Sequence, residues 1–303
     1  MAMESREAMA FPSPGSAVQV WQPQEVKEAW RLKRRFGSAA CYVAGSTWLR
    51  TRWEAHQEAM PLHLISLASI SSLRGIHWTE SGGLVIGAGV TLMDLRMSLY
   101  AKTHYPLIVE ALGRIAAPSI RYLATIGGNV MQRSGDLLPA LLVLDAEVRV
   151  LHQGSTLEML LAEWLTWPDC SADSLLLDIR VPPATGKLAF YYKLGRRLQF
   201  TPSVIAVAGS CVISASGELL DLRLAAVGSG MPALRLYESE AAALCSREES
   251  ISGAIHEAVV LELPAVSDDY ASAGYKKLAA ANLLTAHTRA MLGEGGGADA
   301  NLT

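Results

Sequence analysis

Apolar residues recur along this chain at two spacings, and the change from one to the other divides it. Val26, Ala29, Trp30 and Leu32 share one side at helical spacing after Pro23-Gln24-Glu25, which predicts a helix opening there. Residues 39–43 read as a short buried strand that runs into Gly45-Ser46-Thr47. Residues 62–65 and 73–76 predict short strands between polar turns, and residues 84–89 a strand ending in small residues. A helix start follows at 91–95, with Thr91 placed to cap it. Residues 105–114 return to helical spacing, and Pro106 fits a first turn. Residues 140–144 predict a helical turn, 147–151 alternate like a strand, Gly154 marks a turn, and 175–181 form another strand closed by Pro182-Pro183.

Beyond the Pro-Pro pair the pattern changes. Residues 190–193, 204–214 and 219–227 predict three antiparallel strands, the last two joined by a Ser-Gly-Glu turn. Two alanine-rich stretches follow, 239–245 and 271–292, the second long, amphipathic and helical. Strands followed by helices suit a separate α+β domain, with the boundary near residues 178–184.

Composition narrows the class. The chain has 303 residues, 50% hydrophobic and 18% charged, enough for a large core and two domains. A net charge of -3 gives no electrostatic footprint for nucleic acid. The basic run Arg31-Leu32-Lys33-Arg34-Arg35 reads as a solvated helix face. Cys41, Cys170, Cys211 and Cys245 are scattered, without a C-x-x-C or a Cys/His cluster. They predict neither a zinc site, an iron–sulfur cluster nor a disulfide framework, but small apolar residues in a reducing compartment. Residues 1–16 lack the apolar core of a secretory signal, and no run is long enough to span a bilayer. A cytoplasmic protein with a flexible N-terminus (1–16) and a disordered glycine-rich tail (293–303) is expected.

Three stretches carry candidate chemistry. Tyr42-Val43-Ala44-Gly45-Ser46-Thr47-Trp48-Leu49 places backbone N–H groups and two hydroxyls at the end of a strand, a cradle for a pyrophosphate or a plain strand-to-helix turn. Ile115 to Asn129 carries Thr125-Ile126-Gly127-Gly128-Asn129, whose adjacent glycines would let N–H groups turn toward an anion, although Gly-Gly alone reads as a tight turn. Ser134-Gly135-Asp136-Leu137-Leu138-Pro139 offers one carboxylate, Asp136, as a helix N-cap or as a ribose or ring contact. There is no G-x-G-x-x-G, no P-loop lysine, no H-E-x-x-H and no G-x-S-x-G, which disfavours a Rossmann site, a P-loop NTPase, a zincin and an α/β-hydrolase.

Two small-residue cradles about 80 residues apart, followed by a Pro-bounded α+β domain, resemble the FAD-binding (medium) subunit of the molybdenum hydroxylases, a family that includes the medium chains of xanthine dehydrogenase and carbon monoxide dehydrogenase. Residues 43–49 resemble its first FAD loop, V-A-G-G-T-x-L, and residues 86–91 its I-G-A-x-x-T segment. Residues 115–129 resemble its second loop, I-A-x-x-Q-I-R-N-x-A-T-x-G-G-N, a match over fifteen positions. Ser46 replaces the usual second glycine of the first loop, which calls for a negative φ or a tolerated strain. Ser119 and Tyr122 replace a common Gln and Asn.

The resemblance implies an α+β fold: a two-subdomain FAD-binding domain of the PCMH/VAO type over residues 17–180, then a smaller domain over 181–292 with a three-stranded antiparallel sheet and helices, like the C-terminal domain of carbon monoxide dehydrogenase flavoproteins. It implies FAD held by residues 42–49, by Ile115 and by residues 125–129, with further contacts from Asp136, Leu176 and Lys193. It implies an electron-transfer role without catalytic side chains of its own. A small subunit with [2Fe-2S] clusters would supply electrons from a large molybdopterin-binding subunit, and a terminal acceptor such as NAD or a quinone would take them. Two alternatives stand beside it: a stand-alone FAD-dependent oxidoreductase of the same superfold, and a FAD-less scaffold subunit.

Overall fold

A computed structural model describes residues 17–167, 174–197, 201–215 and 218–293. The expected flexible N-terminus, Cys170 and the tail beyond Gly293 lie outside the described residues.

The chain first builds a small parallel layer. β1 (Gln19–Trp21), α1 (Val26–Phe36), β2 (Ala40–Val43), α2 (Thr47–Glu54) and β3 (His63–Ser66) form a three-stranded sheet in the order β1-β3-β2. Both pairings are parallel, so each return is a crossover carrying a helix. Ala29, Ala40, Ile65, Ile70 and Leu73 make its core. Lys33 corrects the reading of the basic run as wholly solvated. It is buried, and its ammonium donates to the carbonyls of Gly37 (3.0 Å) and Ala40 (2.7 Å), ending α1 where β2 begins.

The middle of the chain supplies β4 (Ile76–Trp78), β5 (Leu84–Gly87), α3 (Leu92–Met97), α4 (Leu99–His104), α5 (Pro106–Arg114), α6 (Pro118–Arg121), α7 (Ile126–Met131), α8 (Leu138–Leu142), β6 (Glu147–His152), β7 (Ser155–Leu160), α9 (Leu161–Thr166) and β8 (Ser174–Val181). The strands form a five-stranded antiparallel sheet ordered β4-β5-β8-β6-β7. Leu73 departs from its expected strand and sits in a short 3-10 turn, with the strand beginning at Ile76. Thr91 caps α3 as expected, its Oγ1 accepting from Asp94 N–H at 3.0 Å.

The last part contains β9 (Leu188–Gly195), β10 (Ser203–Ile213), β11 (Leu219–Gly228), β12 (Met231–Arg235), α10 (Tyr237–Leu244), α11 (Ile251–Glu262) and α12 (Ala273–Met291). Its sheet has four strands, not the expected three, in the order β12-β11-β10-β9. The extra strand, β12, is an edge strand, which is where a proline such as the exposed Pro232 can sit without breaking a ladder. The architecture is α+β throughout. Among the described residues no helix is long and apolar enough to cross a membrane.

The four-stranded sheet is buried on both faces. Ala206 and Ala208 of β10 pack into the core of the middle part, while Ile205, Val207 and Cys211 pack under α10–α12. The small alanine face lets α8 lie close, and every residue of that helix is buried. Asp145, just after α8, ties the seam. Its carboxylate pairs with Arg223 (3.0 Å), with Arg235 and with Lys187 (3.7 Å). Asp145→Ala is expected to destabilise the protein by about 2 kcal/mol, the scale of a lost charged hydrogen bond between partly buried groups. An unchanged urea midpoint would show that the network contributes nothing.

Candidate functional site

A cleft of about 990 Å³ lies between the parallel layer and the middle part, at the upper end of the range for small-molecule sites. Two backbones meet on its wall. A Cβ built on Gly45 would fall 1.8 Å from the carbonyl oxygen of Leu123, so only glycine lets the first loop touch the second. From this contact Tyr42, Ala44, Gly45, Ser46, Thr47, Trp48 and Leu49 line one side of the cleft. Thr125, Gly127, Gly128 and Asn129 line the other, and Leu176 of β8 lies on the floor.

The first loop carries the strain that its serine implied. Ser46 sits at φ 53°, ψ 10°, in the left-handed region, as the residue before α2. A non-glycine residue there costs on the order of 1–3 kcal/mol. In return α2 starts at the cleft. The first N–H groups of a helix have no partner within it, and Thr47, Trp48 and Leu49 supply those of α2.

The second loop works differently from the expectation of N–H groups turned together toward an anion. Ile126 N–H donates to Val90 O and Gly127 N–H to Ala88 O, both at 2.8 Å. Gly128 N–H donates to Thr125 Oγ1 and Asn129 N–H to Thr125 O, both at 3.0 Å. These four donors are committed within the protein. What the loop offers is the Thr125 hydroxyl proton, the donor end of Asn129, whose Oδ1 already accepts from Leu137 N–H (3.2 Å), and space. A Cβ on Gly128 would meet only Thr125 Oγ1, at 3.1 Å, and otherwise fill open cleft. Thr91 and Gly89 reach the same wall, because the segment from Ala88 to Leu92 is clamped to the second loop by Leu92 N–H on Ala124 O (2.9 Å).

Other expected site residues lie elsewhere. Val43, Ile115 and Ile126 are buried behind the loops, and among the cleft-lining residues none of the three occurs. Asp136 is not a helix cap. The residue before α8 is Leu137, and the Asp136 carboxylate is taken up by Lys193 Nζ (2.7 Å) and Ser203 Oγ (2.5 Å), both from the last part of the chain. Tyr191 OH adds a bond to the Asp136 carbonyl (2.8 Å), and burial raises its pKa well above the usual phenol value. Asp136 and Lys193 thus hold each other at the seam, outside the cleft.

Sequence reading missed several cleft residues. Cys41 is half-buried on the wall, and burial raises its thiol pKa against the opposing pull of Lys33. Arg74, Gly75, Met131 and Gln132 also line it. Only tertiary packing brings these separate segments together, and no local pattern marks them. Among the described residues no group of three His, Cys, Asp or Glu side chains is placed to hold a metal ion.

Residues 16–184 match the family described as the FAD binding domain in molybdopterin dehydrogenase. The chain is 31% identical over 208 residues to the carbon monoxide dehydrogenase medium chain of Afipia carboxidovorans, covering 65% of this chain and 72% of that one. It is 29% identical over 265 residues to the uncharacterized protein YgfM of Escherichia coli K12, covering 86% and 90%. A solved carbon monoxide dehydrogenase from Hydrogenophaga pseudoflava superposes with a TM-score of 0.82 at 26% identity, over 89% of this chain and 95% of that one.

Proposed function

Because the chain belongs to the family of FAD-binding domains in molybdopterin dehydrogenases, we propose that it is the electron-transfer subunit of a molybdenum hydroxylase, taking electrons from [2Fe-2S] clusters of a partner and passing them to a terminal acceptor. FAD is its cofactor, and the chemistry FAD supplies is redox storage of those electrons. Residues 17–180 form the FAD domain in this reading and residues 181–292 the second domain.

The observation that carries the reading is the Gly45–Leu123 contact, which sets two small-residue loops side by side on one cleft. The residues present fit the cofactor. Gly128 leaves a cradle that a side chain would fill, the start of α2 favours a diphosphate, and the Ser46, Thr47, Thr91 and Thr125 hydroxyls can bond its oxygens. The second loop contributes hydroxyl, amide and space, and the first loop the backbone donors. No side chain here is required as a general acid or base. Clusters and molybdenum belong to partner subunits in this reading.

Two measurements test it. Full-length protein reconstituted with FAD should retain visible flavin bands through gel filtration. FAD should also protect Cys41 from maleimide several-fold, as mapped by mass spectrometry, while the exposed Cys245 labels at an unchanged rate. Flavin that is not retained, or a Cys41 labelling rate indifferent to FAD, would overturn the assignment of the cleft.

A further inference from the structure

Two aromatic side chains stand exposed on the wall of the cleft. Tyr122 is 62% exposed and Trp48 39%, and both line it. They come from different loops. Trp48 follows Gly45 by three residues, in the first turn of α2, and Tyr122 precedes Leu123 by one. The Gly45–Leu123 contact therefore brings them to one stretch of the cleft, on either side of the point where the loops touch.

Neither is a motif residue of its loop. Trp48 occupies the variable position of V-A-G-G-T-x-L, and Tyr122 stands where the second loop commonly carries Asn. The two rings are features of this chain, not demands of the backbone. Trp48 is braced from behind. The guanidinium of Arg52, one helical turn on, lies 4.6 Å from the centroid of its ring, and Arg52 is held in turn by Glu58 at 2.7 Å. One face of the indole is thereby taken, leaving the other for a guest. Among the described residues no aromatic ring stacks on Trp48 or Tyr122. Large planar side chains left bare beside a concavity forgo apolar burial that a planar guest would restore.

We infer that Trp48 and Tyr122 clamp the adenine of the cofactor, so that the site selects a flavin dinucleotide over a mononucleotide. The inference rests on the FAD reading above. Stacking on an aromatic side chain demands no particular hydrogen-bond pattern from the base. The choice between the two ring systems of FAD follows from what each must do. The isoalloxazine exchanges electrons with other molecules and needs a face or an edge open to them. The adenine is redox-inert and can be covered on both faces. Trp48 also lies beside Thr47, at the start of α2, which favours the diphosphate. The short ribose link keeps the adenine nearer to that diphosphate than the ribityl chain keeps the flavin ring.

The test uses full-length protein stripped of flavin. FAD, FMN and ADP are titrated calorimetrically into wild type and into Trp48→Ala, Tyr122→Ala, Trp48→Phe and Tyr122→Phe, with a thermal melt of each. We expect wild type to bind FAD and ADP, and each alanine variant to bind both about tenfold more weakly, with FMN affinity and melting temperature unchanged. The phenylalanine variants keep a ring and should stay close to wild type. ADP should also change the tryptophan emission of wild type and leave that of Trp48→Phe unmoved, a readout that a folding defect does not mimic. The clamp is overturned if the alanine variants bind FAD as wild type does, or if wild type binds FAD but ignores ADP. It is equally overturned if FMN affinity falls as far as that for FAD, because rings that clamp the isoalloxazine would be felt by both flavins. Wild type that takes up neither FAD nor ADP would sink the FAD reading itself.

Discussion

Gly45→Ala is expected to strip the protein of its flavin. The new methyl group would lie 1.8 Å from the carbonyl oxygen of Leu123, 2.6 Å from its carbonyl carbon and 3.0 Å from Ala124 Cα. All three are main-chain atoms, which cannot rotate aside as a side chain would, so the two loops must separate. Overpacking commonly costs 1–3 kcal/mol, and a rigid neighbour puts this site at the top, about 3 kcal/mol. Separation also moves the start of α2 away from the second loop, and we expect FAD affinity to fall at least about a hundredfold, roughly 2.7 kcal/mol. Gly128→Ala is the informative contrast. Its methyl group would meet only Thr125 Oγ1 at 3.1 Å and project into the cleft, so it should weaken FAD with little effect on the melting temperature. Thermal melts paired with flavin absorbance after gel filtration read both quantities. A Gly45→Ala protein with wild-type melting and full flavin content would refute the loop contact.

The second large effect is expected at Lys276, on α12. Its side chain is wholly buried, and its ammonium donates to the Ser229 and Val266 carbonyls (2.7 Å each) and to Asp268 Oδ2 (2.6 Å). Removing one member of a buried ion pair strands the other charge, at a cost of about 3–5 kcal/mol. Asp268→Ala is expected at the lower end, about 3 kcal/mol, because two carbonyls still solvate the ammonium. The pH dependence follows from the same contact. The hydrogen bond from Lys276, above all, holds the Asp268 carboxyl well below its ordinary pKa. A depressed folded-state pKa means that the unfolded chain binds the proton more readily. The Asp268 contribution is therefore complete above about pH 5 and fades as the pH falls below about 4. Urea midpoints for wild type and Asp268→Ala should converge under acid. A gap that persists at low pH, or no gap at neutral pH, would remove this ion pair from the account.

Much of the site was legible in the sequence because its demands are local. A glycine at 45, a Thr-x-Gly-Gly run at 125–128 and a cap at Thr91 each follow from what a backbone must do within a few residues. The hydrogen-bond partners of the second loop were not legible. Val90 O and Ala88 O lie some 36 to 39 residues upstream, and packing of the middle part brings them there. The same limit hid the Asp136–Lys193 pair, which spans 57 positions. In the fold, β12 escaped notice because it is short and holds a proline, and β7 because its edge position leaves its residues largely exposed. The buried Lys33 looked like one more charge on a basic helix face, because sequence does not show two carbonyls waiting beneath it.

The two-faced burial of the four-stranded sheet bears on how the chain can be cut. Severed at Pro182-Pro183, the first piece would bare α8, all of whose residues are interior, and the second would bare the alanine side of β10 and β11. Neither surface resembles a solvated exterior, so each fragment carries an adhesive face complementary to the other. The boundary visible in the sequence marks a change of pattern along the chain, while the core runs across it, with Ala206, Ala208, Ala225 and Val227 packed among the same residues as α8, so the two sides are expected to stay soluble only when made together.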